Sequence, residues 1–192
     1  MQVVRYPHPT LRHKSKPVKR VDAELRRLVE QMFELMYENK GIGLAANQVD
    51  LPLRLFVMNL KADPDEGESH VLINPVITSP KGVAEHEEGC LSFPDLYAPV
   101  KRPERVQVSA FNLKGEQFQG EVDGLLARVV QHETDHLDGV LFTDRMSETA
   151  LATCRESLEA FEIEFQQRRE HGEIDDDDAI ADRLKELEAR YC

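Results

Sequence analysis

Residues 132–136 read His-Glu-Thr-Asp-His, and this short H-E-x-x-H pattern constrains the chain more than any other segment. In an α-helix, residues four apart stand one above the other on a single face. There His132 and His136 can grip one metal ion, with Glu133 beside the first ligand to handle a water proton. A strand or loop would scatter the same side chains. The fold must therefore place a helix here, bury one side of it and bring a further ligand from a distant part of the chain. Leu125, Leu126, Val129 and Val130 just upstream fit a helix from about Gly124 to Leu137, ended by Gly139. The bland alternative is two surface histidines on a polar helix, and a chain with only seven histidines makes that coincidence a poor account.

The third ligand is sought among three cysteines, Cys90, Cys154 and Cys192. So sparse and odd a set argues against a disulfide framework. Cys90, in Glu87-Glu88-Gly89-Cys90-Leu91-Ser92, would by itself read as a small buried hydrophobe. Beside a histidine pair it completes a three-ligand set with an open fourth position, the layout of a catalytic site. Cys154 falls on the apolar stripe of a C-terminal helix and reads as packing, and Cys192, the last residue, reads as a frayed end. A third segment, Gly41 to Gln48, has glycines that allow close backbone approach to a ligand. Gln48 offers a neutral amide donor suited to an oxyanion hole. A helix cap followed by a packed turn is the other reading of that segment.

Around these segments the pattern mixes periods. Residues 2–5 are expected as a short strand. Asp22 caps a helix carrying Leu25, Leu28, Val29, Met32, Leu35 and Met36, which ends near Asn39-Lys40-Gly41. Strands are expected at Leu53–Leu60 and at Val71–Thr78, the latter at a sheet edge because of Pro75. A hairpin is expected from Arg105–Leu113 and Gln117–Val122 around Lys114-Gly115. Leu151, Cys154, Leu158, Phe161 and Phe165 form one helical stripe, and Ile180, Leu184, Leu187 and Tyr191 a second. Strands and helices in separate runs imply an α+β fold with mainly antiparallel sheets around the metal-binding helix, flanked by N-terminal and C-terminal helices. The length suits one domain with an appendage.

The formal charge of −12 disfavours direct nucleic-acid binding. Residues 144–192 hold 15 Asp and Glu against 7 Lys and Arg, so most of the acidity lies in the tail. No apolar run is long enough to span a bilayer, and the N-terminus lacks a signal-peptide layout, so the cytosol is the expected compartment.

Taken together, Gly41 to Gln48, Glu88 to Ser92 and His132 to Gly139 resemble the three ordered motifs of the peptide deformylases, G-x-G-L-A-A-x-Q, E-G-C-L-S and H-E-x-D-H-L-x-G. The resemblance covers roughly residues 2–165, leaving 166–192 as an acidic, helical extension to a 1–165 catalytic domain. It implies a metal-dependent amidohydrolase that removes the formyl group from the N-terminal formylmethionine of nascent polypeptides and releases formate. Cys90, His132 and His136 would bind one divalent metal, natively Fe²⁺, with Zn²⁺, Ni²⁺ or Co²⁺ as alternatives. Glu133 would act as the proton carrier, and the Gln48 amide and Leu91 N–H as oxyanion donors. Segments around Gly43 and Gly89 would bind the peptide by strand addition. Leu125 and Val129, on the helical face of His132, would wall the methionine pocket, with core packing as the alternative for both. His8 and Tyr97 depart from the family pattern: the first stands where an acidic residue is common, the second where some members carry Arg. The tail reads as a solvated helix or as a partner surface. Its acidity argues against contact with ribosomal RNA, although transient proximity to the ribosome follows from a nascent-chain substrate. A general metalloprotease is disfavoured by a Cys ligand, and a non-catalytic peptide-capture module by the presence of both Glu133 and Gln48.

Overall fold

The computed structural model describes residues 1–192. Its elements run α1 (Ala23–Glu38), β1 (Gly43–Ala45), β2 (Leu55–Met58), β3 (His70–Lys81), β4 (Ala84–Cys90), β5 (Phe93–Arg102), β6 (Arg105–Phe111), β7 (Gln117–Asp123), α2 (Gly124–Leu137), α3 (Glu148–Glu170) and α4 (Asp177–Tyr191). Five strands form an antiparallel sheet in the order β1-β2-β3-β6-β7, and β4 and β5 make a separate two-stranded ribbon. This is the expected α+β architecture. No helix is long and apolar enough to cross a membrane.

The five-stranded sheet is buried on both faces at its centre. Leu55, Val57 and Ile73 pack with Leu25, Val29, Met32 and Met36 of α1, whereas Phe56, Met58 and Leu72 pack with Val129, Val130 and Leu137 of α2. A strand covered on both sides has no polar face, so β2 reads in sequence as a continuous apolar run. A third cluster, built on Phe93, Leu96, Ala98 and Val100 of β5 with Leu11, Phe142 and Cys154, closes the opposite side. Cys154 is thus packing, as its stripe position implied. α2 lies between the sheet and the ribbon, and every residue from Ala127 to Leu137 is buried.

Local chemistry fixes the helix ends. The Asp22 carboxylate accepts from the N–H groups of Glu24 and Leu25 at 3.1 and 2.9 Å, which starts α1. Gly139 follows α2 with φ +73°, and a Cβ there would collide with the Arg12 carbonyl. Only glycine combines that conformation with so close a backbone neighbour.

Three expectations are corrected. Residues 2–5 form no strand. They run extended, with Val4 N–H donating to the Gln48 carbonyl and Tyr6 N–H to Ser92. β3 is central, not an edge: Pro75 is accommodated at a register shift between Ile73 and Val76. There Asn74 adopts φ +53°, and its side chain bonds both the N–H and the carbonyl of Val18, replacing lost ladder bonds. The C-terminus is not frayed. Tyr191 is 2 % exposed in the α1 core with Cys192 packed against the same cluster, and Ile180 and Leu184 of the same helix are also buried. Three such side chains stabilise the docked helix by several kcal/mol at about 1.5–3 kcal/mol each, an upper range.

Candidate metal centre and catalytic cleft

Helix α2 presents His132 and His136 one turn apart, with ring centroids separated by 5.0 Å. Cys90 ends β4, where the pairing with β5 shifts register between Gly89 and Cys90. The shift re-aims the thiol out of the ribbon and toward α2. The Cys90, His132 and His136 donor atoms all lie within 4.8 Å of one another, and Sγ of Cys90 sits 3.2 Å from Nε2 of His136. Ligand atoms around one small tetrahedral ion stand about 3–4 Å apart. One sulfur and two nitrogens at that spacing suit a borderline divalent metal.

Glu133 lies on the cleft wall, with its Oε2 buried and without a protein partner. Burial first of all, against the pull of His132 and Arg102, raises its pKa to about 7. A carboxyl poised there can both take and return a proton near neutral pH. A Cβ on Gly43 would run into this carboxylate, so glycine at 43 is what lets β1 approach Glu133. His132 behaves in the opposite sense. Burial disfavours its charge, but Cys90 and Glu88 beside it prevail and raise its pKa to about 10. His136, by contrast, is pushed well below the usual range by burial and by the neighbouring charges of His132 and Arg102.

Gln48 is 1 % exposed and sits on a 3₁₀ turn, Ala46–Val49, directly after β1. Its Oε1 accepts from the Ala45 N–H at 2.8 Å, which orients the amide so that Nε2 points to Cys90 Sγ and Ser92 Oγ, both at 3.3 Å. The bond to Ser92 is long for an oxygen acceptor, so that N–H can turn to serve another acceptor. The Leu91 N–H donates to no protein acceptor. Both sequence-derived oxyanion donors thus border the triangle.

A cleft of about 790 Å³ opens over this triangle. Gly43, Gly89, Leu125 and Val129 all line it. Val129 is buried in the wall, while Leu125 is half exposed at the rim. A Cβ on Gly89 would collide with the ring of Tyr97, its cross-strand partner on β5, so glycine at 89 lets that ring lie over the face of the ribbon.

Sequence reasoning missed the charged scaffold beneath the ligands. Glu88 accepts from Arg102 at 2.6 and 2.9 Å, from Arg128, and pairs with Nδ1 of His132 at 3.0 Å. Arg102 also reaches Asp135 at 2.6 Å, and Asp135 is held from its other side by Arg145. Burial opposes the Glu88 charge, but these bonds win and hold its pKa at about 2. A carboxylate on the far nitrogen of a ligating histidine sets the tautomer and ring orientation. Strand alternation could not have revealed it, because the register shift between Gly89 and Cys90 breaks the two-residue period just where Glu88 and Cys90 would be related.

Comparisons with known proteins agree with this geometry. The family model described as polypeptide deformylase matches residues 1–151. A peptide deformylase of Rhodopirellula baltica is 48 % identical over 191 residues, covering 100 % of this chain and 95 % of its own. A peptide deformylase of Neisseria gonorrhoeae is 51 % identical over 148 residues, 77 % of this chain and 87 % of its own. A plant peptide deformylase crystal structure superposes with a TM-score of 0.86 at 44 % identity, covering 88 % of this chain and 92 % of that one.

Proposed function

Since this chain belongs to the peptide deformylase family and so removes N-formyl groups from nascent peptides, we propose that Cys90, His132 and His136 hold the metal for that reaction, with Glu133 as its proton carrier. The observation that carries this reading is the buried Glu133 carboxylate, its Oε2 without a protein partner, beside three converging donor atoms. A divalent ion held there supplies Lewis-acid activation of water and of the formyl carbonyl. Fe²⁺ is the native choice, and the donor set also accepts Zn²⁺, Ni²⁺ or Co²⁺.

Every other step belongs to the protein. Glu133 accepts a proton from the attacking water and passes it to the amine leaving the formyl carbon. The Gln48 amide and the Leu91 N–H donate to the oxygen on which charge develops, and their fixed orientation avoids reorganisation at that moment. Glu88 keeps His132 in one tautomer. The free edges of β1 at Gly43 and of β4 at Gly89 bind the substrate main chain by strand addition, which ignores most side chains. Leu125 and Val129 wall the methionine pocket.

Residues 1–165 make up the catalytic domain and 166–192 the extension. The enzyme works in the cytosol near the ribosome, without direct nucleic-acid contact, in keeping with its net charge of −12. The deciding experiment measures formate release from formyl-Met-Ala-Ser by the Fe²⁺ or Ni²⁺ form prepared without oxygen. No formate would refute the assignment, and internal peptide cleavage would instead support a protease.

A further inference from the structure

The loop that carries Gln48 is gripped on both flanks by groups that lead back to α4. On one flank, Ser15 Oγ donates to Asn47 Oδ1 at 2.6 Å, and Asn47 Nδ2 donates to the His13 carbonyl at 2.7 Å. Segment 13–16 is itself held by Glu188 of α4, whose two oxygens pair with Nε2 of His13 at 2.8 Å and Nζ of Lys16 at 2.6 Å. On the other flank, Asp50 closes the 3₁₀ turn in a left-handed conformation, φ +63°. Its carboxylate accepts from Thr10 Oγ1 and from Arg183 of α4. A second bond, Arg183 Nη1 to Asp175 at 2.7 Å, steadies that guanidinium.

Core covering does not account for this arrangement. Ile180, Leu184 and Tyr191 already bury the helix. Arg183 and Glu188 are polar residues interleaved with them, and each meets a group that borders the Gln48 turn. Arg183 lines no part of the catalytic cleft. It faces a separate hollow of about 640 Å³ between the N-terminal segment and the α3–α4 turn.

We propose that α4 straps the oxyanion-donor loop in place, with Arg183 as a positioning residue that sets the Gln48 amide through Asp50. The proposal rests on the reading of Gln48 as an oxyanion donor. A donor that strengthens its bond only as charge develops raises kcat more than it lowers KM. A misset of a fraction of an ångström is costly at such a donor.

The test is a double-mutant cycle on the metal-replete enzyme, with Arg183→Met, Gln48→Ala and the double variant assayed on formyl-Met-Ala-Ser. Arg183→Met should lower kcat by roughly fivefold to tenfold with KM within about twofold, and Arg183→Lys should recover part of the loss. In the Gln48→Ala background the Arg183→Met effect should vanish. An equal loss in both backgrounds, or an unchanged kcat in Arg183→Met while Gln48→Ala is impaired, overturns the strap. An unchanged kcat in Gln48→Ala instead overturns the oxyanion reading, and the strap with it. If Arg183→Met fails to fold, Asp50→Asn enters the same cycle from the other end of the ion pair, and the same outcomes decide.

Discussion

Arg102 is the side chain whose loss the structure lets one cost most directly. It is 3 % exposed on β5 and ties β4, through Glu88, to α2, through Asp135, with three bonds of 2.6 to 2.9 Å. Arg102→Met keeps a stem of similar length and removes the guanidinium. Breaking a buried ion pair from one side costs about 3–5 kcal/mol, because the remaining charge stays buried. Here both carboxylates keep other partners: Glu88 retains Arg128 and His132, and Asp135 retains Arg145. The low end, about 3 kcal/mol, is therefore expected. For a chain of this size each kcal/mol moves Tm by roughly 2–4 °C, so Tm should fall by about 6–12 °C. The control is Arg12→Ala, which removes a two-pronged pair with Asp144 that is 46 % and 39 % exposed. Exposed pairs contribute about 0–1 kcal/mol, and Tm should drop by less than about 4 °C. Thermal unfolding of the metal-replete proteins, followed by circular dichroism, compares the two. A fall for Arg102→Met no larger than that of Arg12→Ala would refute the claim that this network holds the ribbon to α2.

Glu133→Gln should lower kcat by roughly a thousandfold while metal content, measured by elemental analysis, stays unchanged, the pair of outcomes expected of the proposed proton carrier that is no ligand. Gly43→Ala should push the Glu133 carboxylate aside and lower kcat by about tenfold to a hundredfold with little change in Tm, read by formate release beside thermal unfolding. The docking of α4 should weaken in acid: burial raises the Glu188 pKa, but Lys16 and His13 outweigh it and lower the net value. A carboxylate depressed in the folded state contributes its stabilisation above the ordinary Glu range near 4.3, and that contribution fades as pH falls through the folded value. The protection factors of the α4 amides, taken relative to the intrinsic exchange rate at each pH, should fall below about pH 4 in the native chain and change less with pH in Glu188→Gln. The Fe²⁺ form should lose activity on prolonged aeration while the Ni²⁺ form keeps it; equal survival would count against thiolate-bound ferrous iron as the working centre.

Local signals made part of this molecule legible. α2 spans Gly124–Leu137 as expected, because its apolar run and its terminal glycine speak for the same helix. The Lys114-Gly115 hairpin, with Gly115 at φ +78°, and both C-terminal helices follow from equally local patterns. The β4–β5 ribbon was not seen. Glu85, His86 and Glu87 give β4 a polar surface, and Pro94 and Pro99 interrupt the alternation of β5, which only the fold restores. Pro75 misled because a bulge admits proline inside a sheet, and the bulge depends on Asn74 meeting Val18 across 56 residues. Charges show the deepest limit. Nothing in the local sequence distinguishes Arg102 and Arg128, which are buried, from Arg105, which is exposed. Ligands announce themselves by type and spacing, whereas the groups that orient them depend on burial.

The shortness of β1 has a consequence for what this enzyme can hold. Three residues of strand span about 10 Å, room for about three residues of an added strand. A longer edge would grip more of the chain, but it would also invite stray strands and demand more freed length from each client. On the proposed strand addition, so brief a handhold at β1 takes only the tip of a polypeptide. The rest can remain tethered elsewhere while the formyl group is removed.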